Sequence, residues 1–142
     1  MENTLKTIGV AGTLNFPKGS LVVKELAKEI EKSYSDKLRI VVIGEMLEDF
    51  YKSESLIVTG KYKREELPEI SKQYNINLFL FPSICPETYS LVCDEIIEMG
   101  YPLAVFNLGA QKEKAEQYPK GIILEEMGVE YVINKFRTPD AS

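Results

Sequence analysis

The sequence predicts an α/β fold, a doubly wound, mainly parallel six-stranded Rossmann-like sheet with helices on both faces. Three observations predict it: six short apolar runs alternate with helical patterns, the runs are continuous in Val, Ile and Leu, and no repeat or linker interrupts them. Continuous apolar runs are typical of strands that are covered on both faces. The alternation with helices favours parallel pairing. A chain of 142 residues has the size of one domain, so we expect a single domain over 1–142 with tails at 1–6 and 137–142.

The predicted strands are the apolar runs Thr7–Gly12, Leu38–Gly44, Ser55–Thr59, Asn77–Phe81, Pro102–Phe106 and Gly121–Leu124. Three- and four-residue apolar spacing predicts helices over Ser20–Tyr34, Arg64–Tyr74, Thr88–Met99, Ala110–Gln117 and Val129–Phe136. Ser20 is the expected N-cap of the first helix, Pro68 fits only near the first turn of the second, and Gly100 ends the third. The stretch Glu45–Glu54 is ambiguous, because a short helix would only just fit there.

Composition excludes several classes of protein. The chain has 17 basic and 22 acidic residues and a net charge of −5, the wrong sign for a general binder of nucleic acid or anionic membranes. A local cationic pocket remains compatible with this charge, since salt screens exposed charges beyond about 8 Å. The absence of histidine excludes Ser-His-Asp and Cys-His catalysis and His-ligated zinc. Two cysteines, Cys85 and Cys93, are too few for a disulfide scaffold, and we expect both to be packed and reduced.

The sequence carries no apolar run of 18 residues, and its first residues lack the basic-then-apolar pattern of a signal peptide. We therefore expect a cytoplasmic protein.

Right-handed crossovers bring the loops after the strands to one edge of the sheet, where ligands bind. The loop Gly12–Gly19 follows neither the Walker A nor the Gly-x-Gly-x-x-Gly pattern. It does place Lys18 at the start of a helix, where ammonium and helix dipole together suit a phosphate. The alternative is a solvated lysine in a turn.

Glu87 and Glu95 lie eight residues apart. On a helix this spacing gives roughly 80° of rotation and about 12 Å of rise, so both carboxylates can face one elongated ligand. Glu87 would lie near the unpaired backbone N–H groups around Tyr89–Leu91, and Glu95 could accept hydrogen bonds from a pair of hydroxyls. The alternative is a solvated acidic face, although Glu95 lies among apolar residues.

Two further loops reach the same edge. Gly109 lies between a strand and a helix. A glycine there either lets the backbone approach a ligand closely or is an ordinary turn residue. The cluster Lys61, Tyr62, Lys63 and Arg64 follows the third strand, and basic clusters of this kind are usually solvated.

From Thr7 to Glu126 the chain resembles the C-terminal domain of group 1 (family 4) glycosyltransferases of the GT-B architecture. The specific blocks are Phe81-Pro82-Ser83, Pro86-Glu87-Thr88-Tyr89-Ser90-Leu91, Glu95, and Gly100-Tyr101-Pro102 before the next strand. They are similar to the family's Glu-x7-Glu signature. Ile8-Gly9-Val10 through Lys18-Gly19 resembles its first strand and Lys-Gly loop.

The resemblance implies that the domain binds a nucleotide-diphosphate sugar as donor and takes part in transferring the sugar with retention of configuration, without an obligate metal in this half. It implies that Lys18 binds the diphosphate, with Gly12 and Thr13 in the same loop. Glu87 would contact the sugar hydroxyls and Glu95 the ribose hydroxyls. The remaining implied contacts are backbone around Tyr89, Ser90 and Leu91 to a phosphate, Tyr62 and Lys63 beside the base, and Gly109 near the sugar.

The family usually has a second diphosphate ligand, an arginine, where this chain has Thr13, and Ser90 replaces its commoner glycine. A catalytically silent GT-B-like binding or scaffold domain is therefore the alternative. A nucleotide-sugar epimerase of similar shape is disfavoured by the absence of histidine. Because GT-B enzymes place the active site between two domains, we expect this chain to be part of a larger transferase, to lack the acceptor domain, and to be inactive alone. Any contact with a membrane would be made by the missing acceptor domain of the full-length protein, at the inner face of that membrane.

Overall fold

The computed structural model describes residues 5–15, 17–47, 53–87 and 91–137, and it confirms the predicted α/β class. Within these residues six strands form one sheet in the order β3-β2-β1-β4-β5-β6, and every pair of named neighbouring strands is parallel. The strands are β1 (Lys6–Leu14), β2 (Leu38–Met46), β3 (Leu56–Val58), β4 (Leu78–Phe81), β5 (Leu103–Phe106) and β6 (Gly121–Leu124). The strand order reverses between β1 and β4, and such a switch point opens a crevice at the carboxyl ends of the strands.

In the described part of the chain, five α-helices cover the two faces of the sheet: α1 (Ser20–Ser33), α2 (Leu67–Gln73), α3 (Leu91–Met99), α4 (Gly109–Glu116) and α5 (Val129–Arg137). Successive strand residues point to opposite faces, so Ile40 and Val42 of β2 pack with α1 and α5 in one core. Val41 and Ile43 pack with α2, α3 and α4 in the other. Helices therefore cover both faces of the sheet, and the central strands β1, β2, β4 and β5 are largely apolar and buried for this reason.

Several predicted boundaries are corrected. β1 extends to Leu14 and pairs residue by residue with β2, so Gly12 is a strand residue as predicted, and Thr13 and Leu14, predicted in the loop, belong to the strand as well. Glu45 and Met46 belong to β2, so the short helix considered from Glu45 is wrong at these two residues, and 48–52 lie outside the described residues. The predicted helix at Arg64 begins as a 3-10 turn (Arg64–Glu66) before α2, whose first turn holds Pro68 as expected.

The N-cap of α1 is Gly19 in the left-handed conformation, and Ser20 is the first helical residue, so the predicted serine cap is wrong. Of the two cysteines, Cys93 is buried as expected, but Cys85 is exposed. Cys85 lies in a surface loop, where the neighbouring apolar strand no longer covers it. Within the described part of the chain, no helix is long and apolar enough to cross a membrane.

Candidate functional site

A pocket of about 290 Å³ opens at the carboxyl ends of β1 and β4, at the switch point of the sheet. Its volume lies at the lower end of the range for small-molecule sites. Strand β1 supplies one wall and the start of α3 the other, with the loops after both strands between them. The residues that line it are Ala11, Gly12, Thr13, Leu14, Lys18, Phe81, Pro82, Glu87, Leu91 and Val92.

Lys18 is held at this pocket by the turn that connects β1 to α1. The Asn15 carbonyl accepts hydrogen bonds from the backbone N–H groups of Lys18 (3.1 Å) and Ser20 (3.0 Å), and the Asn15 side chain also accepts from the Lys18 N–H at 3.1 Å. Asparagine favours such turns because its side-chain oxygen reaches the backbone a few residues on. The turn thus places an ammonium group beside the N-terminus of a 14-residue helix, where the macrodipole also favours an anion.

Gly19 allows this loop to lie directly against the loop after β4. Its φ is 95°, and a Cβ on it would lie 2.1 Å from the carbonyl oxygen of Pro82. A hydrogen bond also joins the two loops, because the Pro17 carbonyl accepts from the Ile84 N–H at 3.1 Å. The Lys-Gly pair therefore has a physical basis: the lysine carries the charge, and the glycine lets the two loops meet.

Glu87 forms an ion pair with Lys18 inside the pocket. The Lys18 Nζ lies 2.9 Å from Glu87 Oε1 and 3.0 Å from Oε2, and the Ser83 hydroxyl donates to Oε2 at 2.7 Å. Burial by itself raises the pKa of Glu87, but the hydrogen bonds from Lys18 and Ser83 and the ammonium charge outweigh it and leave the pKa below its usual value. Glu87 is therefore a carboxylate at neutral pH, suited to accept hydrogen bonds and not to donate a proton.

A buried amide fixes the backbone of Glu87. Gln111 of α4 is fully buried. Its Oε1 accepts a hydrogen bond from the Glu87 N–H at 3.0 Å, and its Nε2 donates to the Cys85 carbonyl at 3.1 Å. Gly109 has a φ of 64°, and a Cβ on it would lie 2.5 Å from the Glu87 nitrogen. In this structure the close approach at Gly109 is to the Pro86–Glu87 backbone, so its contact is with the loop that carries Glu87.

A second charged pair lies farther along α3. Arg64 Nε contacts Glu95 Oε2 in an ion pair, with 63% of the arginine side chain exposed and only 16% of the glutamate side chain. Tyr62 lies beside this pair. Burial raises the pKa of its phenol, the charge of Glu95 raises it further, and Arg64 acts in the opposite direction. Glu95 is thus mostly buried and charge-paired, and it does not lie on a solvated acidic face.

The structure brings five of the sequence-predicted site residues to the pocket lining: Gly12, Thr13, Lys18, Glu87 and Leu91. Glu95 pairs with Arg64 instead, and both charges act on the nearby phenol of Tyr62. Lys63 is exposed, and its backbone N–H donates to Glu66 Oε1 at 2.8 Å. Tyr89 and Ser90 lie outside the described residues.

Sequence reasoning missed three residues that shape the site: Ser83, Gln111 and Arg64 as the partner of Glu95. Ser83 had a signal, since it lies four residues before Glu87 within the block that resembles the family. Arg64 was visible only as one member of a basic cluster. Gln111 had no signal, because its partners lie 24 and 26 residues away in the sequence.

This arrangement can bind an anion and hold it against polar groups of fixed orientation. Lys18 and the N-terminus of α1 supply positive potential, and Glu87 and Glu95 supply carboxylate acceptors for hydroxyl groups. An ionised Glu87 does not act as a general acid at neutral pH, so the chemistry that fits best is electrostatic stabilisation of a charged ligand.

Comparison with known proteins agrees with this architecture. The family model described as glycosyl transferases group 1 matches residues 2–137. A search of curated protein sequences finds no match.

Solved structures share the fold at low sequence identity. The C-terminal domain of LpcC, a group 1 family glycosyl transferase from Francisella tularensis, is 20% identical with a TM-score of 0.65, and the match covers 92% of this chain and 73% of that one. The catalytic domain of cholesterol-α-glucosyltransferase from Helicobacter pylori is 17% identical with a TM-score of 0.68, covering 94% and 85%. HepE from Anabaena, solved in complex with UDP and glucose, is 14% identical with a TM-score of 0.68, covering 92% and 37%.

The chain thus spans 37% of the length of HepE, and it spans 36% of a trehalose-6-phosphate synthase of the same fold. The family match extends over nearly all of the sequence, and the likeness to the LpcC domain covers most of both chains. This protein therefore belongs to the glycosyl transferases group 1 family and has the fold of a C-terminal domain in that family.

Proposed function

We propose that this chain is the donor-binding half of a retaining glycosyltransferase, which transfers a sugar from a nucleotide-diphosphate sugar to a glycan or another acceptor. The observation that carries the proposal is the convergence of Lys18 and Glu87 on one pocket at the switch point of the sheet. Family membership and the UDP and glucose bound by HepE support the same ligand class.

In this proposal Lys18 and Glu87 are the catalytic residues. A diphosphate bound in the pocket replaces Glu87 as the ion-pair partner of Lys18, since the more highly charged anion attracts the ammonium more strongly. The leaving diphosphate gains negative charge as the glycosidic bond breaks, and Lys18 with the α1 N-terminus stabilises that charge. Glu87, kept ionised, then accepts hydrogen bonds from sugar hydroxyls. Transfer itself also requires an acceptor site, which we propose lies in a second domain.

Thr13 supports a second candidate function, a silent binding or scaffold domain. This residue lines the pocket at the position where the resemblance implies a second cation for the diphosphate. The side chain there is neutral, and Lys18 is already paired with a carboxylate. If the silent domain is correct, the natural chain binds no nucleoside diphosphate, and Thr13→Arg creates binding.

Calorimetric titration of the chain with UDP, GDP, ADP and TDP tests the two functions. The proposal expects one of them to bind and Lys18→Ala to weaken it by about 1.5–3 kcal/mol, the range for charge-assisted hydrogen bonds. Lys28→Ala is the matched control, because Lys28 is an exposed lysine of the same helix α1. No heat with any of the four nucleotides, or equal losses for the two variants, contradicts the donor site.

We also propose that binding needs no divalent metal, because Lys18 and the helix supply the positive charge. Titration in the presence of EDTA is then expected to give the same dissociation constant as titration with Mg²⁺. A loss of binding in EDTA would overturn this part of the proposal and leave the donor site itself standing.

A further inference from the structure

The ion pair between Arg64 and Glu95 is separate from the Lys18–Glu87 pair. Arg64 is the first residue of the 3-10 turn that precedes α2, and Glu95 lies in the middle of α3. Their contact therefore links two elements that cover the same face of the sheet. The turn is closed by the hydrogen bond from the Lys63 N–H to Glu66 Oε1, and Leu67, directly after it, is buried. The backbone that carries Arg64 is thus held in place.

The pair lies next to the pocket. Glu95 follows Leu91 by four residues and Val92 by three, and both of these line the pocket. Residues at these spacings share one face of a helix, so Glu95 lies one turn beyond the pocket wall, about 5 Å farther along α3. A ligand that fills the pocket and continues along α3 meets Glu95 next.

The surroundings of Glu95 are unusual for a charged side chain. Only 16% of its side chain is exposed, and its neighbour Ile96 is fully buried. A charge in such surroundings is costly unless it is paired and hydrogen-bonded. Arg64 supplies that partner, yet with 63% of its side chain exposed it adds little to stability by itself, as is usual for surface ion pairs. The ion pair is explained better by the orientation it gives to Glu95.

Tyr62 lies near this pair. It is partly buried and packs against the same core as α2 and α3. The charges of both Glu95 and Arg64 act on its phenol. A phenol therefore lies near the guanidinium–carboxylate pair that is one helical turn beyond the pocket wall.

We propose that Arg64 is a positioning residue that determines donor specificity: by holding Glu95 through Oε2, it sets the preference for ribonucleoside over 2′-deoxyribonucleoside diphosphates. This inference rests on the proposed function. A carboxylate has about four lone-pair sites, so the contact to Arg64 leaves capacity for two vicinal ribose hydroxyls. Without the guanidinium, the flexible glutamate side chain regains rotamers that a bound ribose must then restrict.

The experiment compares the binding of UDP, GDP and ADP with that of their 2′-deoxy analogues to the full chain. The natural chain is expected to prefer the ribose form by about ten-fold or more, since a hydrogen bond to a charged group is worth about 1.5–3 kcal/mol. Glu95→Gln and Arg64→Ala are both expected to lower this preference, Arg64→Ala by about five-fold, while affinity for the deoxy form falls less, because that form has only the 3′-hydroxyl to lose. Arg64→Lys restores part of the preference, because it returns the charge without the planar guanidinium.

Two controls separate this role from a structural one. Lys72→Ala removes an exposed cation from α2 and Glu98→Ala an exposed carboxylate from α3, and neither is expected to change the ribose preference. Far-UV circular dichroism confirms that each variant is folded.

The outcomes are distinct. If Arg64→Ala weakens the ribose and deoxyribose forms equally, Arg64 contacts the phosphates or the base, and this inference is wrong while the donor site stands. An unchanged preference in Arg64→Ala likewise overturns the inference alone. If no nucleoside diphosphate binds the natural chain, the proposed function fails and the inference fails with it.

Discussion

Replacing Gly19 by alanine tests whether the Lys18 loop and the loop after β4 meet as closely as the structure shows. The expected loss has two parts. A non-glycine residue at the observed φ of 95° costs about 1–2 kcal/mol. The new Cβ would also lie 2.1 Å from the Pro82 oxygen and 2.5 Å from the Pro82 carbonyl carbon, and overpacking of this kind costs about 1–3 kcal/mol.

The chain contains a matched control for this substitution. Gly60 has the same φ of 95°, but a Cβ on it would meet no heavy atom within 4 Å. Gly60→Ala therefore carries only the backbone part of the loss. We expect Gly19→Ala to lower the free energy of unfolding by about 2–5 kcal/mol and Gly60→Ala by about 1–2 kcal/mol. Because small domains are stable by only about 5–15 kcal/mol, the larger loss is a substantial share.

Equilibrium urea denaturation followed by circular dichroism measures both losses, and an unchanged m value shows that the midpoint shift reflects stability. Equal losses in the two variants would refute the close contact with Pro82, because the φ angle is the same at both glycines. A larger loss for Gly60→Ala would refute the whole argument. Gly19→Ala is also expected to weaken nucleoside diphosphate binding, since the loop must move and Lys18 moves with it.

Three further predictions concern the residues around Glu87. Glu87→Gln is expected to reduce stability at neutral pH, because the folded-state pKa of Glu87 is lowered. This stabilisation is complete above the unfolded pKa of about 4.3 and is lost as pH falls through the folded pKa, so the urea midpoints of variant and natural chain converge only at more acidic pH, and a constant gap at all pH values would contradict it. A double-mutant cycle of Lys18→Met and Glu87→Gln is expected to give a coupling of about 0.5–1 kcal/mol, small because 44% of the Lys18 side chain is exposed; zero coupling would mean that the pair contributes nothing in solution. Gln111→Leu leaves the Glu87 N–H and the Cys85 carbonyl without their partner and is expected to cost about 1–3 kcal/mol in urea denaturation, whereas an unchanged midpoint would show that this amide does not hold the loop.

The helices and strands could be predicted because their signals are local. Six apolar runs and five helical patterns predicted the six strands and five α-helices of the described residues, with most ends correct within two residues. The start of α2 is three residues later than predicted, after the 3-10 turn, and β1 and β2 each run two residues past their predicted ends. Thr13, Leu14, Glu45 and Met46 lie beyond the two continuous apolar runs, but the two strands pair in register up to Leu14 and Met46. Pairing with a neighbour extended these strands beyond the point where their own residues would have ended them.

The site was predictable only in part, for the same reason. The sequence predicted that Lys18 and Glu87 lie at one edge of the sheet, because the carboxyl ends of parallel strands all lie there. It could not predict the hydrogen bond between them, since 69 residues separate them in the sequence. Cys85 was expected to be packed because an apolar strand precedes it, yet its exposure depends on the path of the loop and not on that strand.

The amino-acid sequence alone determined the α/β class, the cation at the start of α1 and the family resemblance, because each depends on residues close together in the chain. Only the tertiary structure decided that β1 lies between β2 and β4, that Gln111 supports Glu87, and that Arg64 pairs with Glu95. Such contacts join distant segments, and which segments meet is set by how the two faces of the sheet are covered.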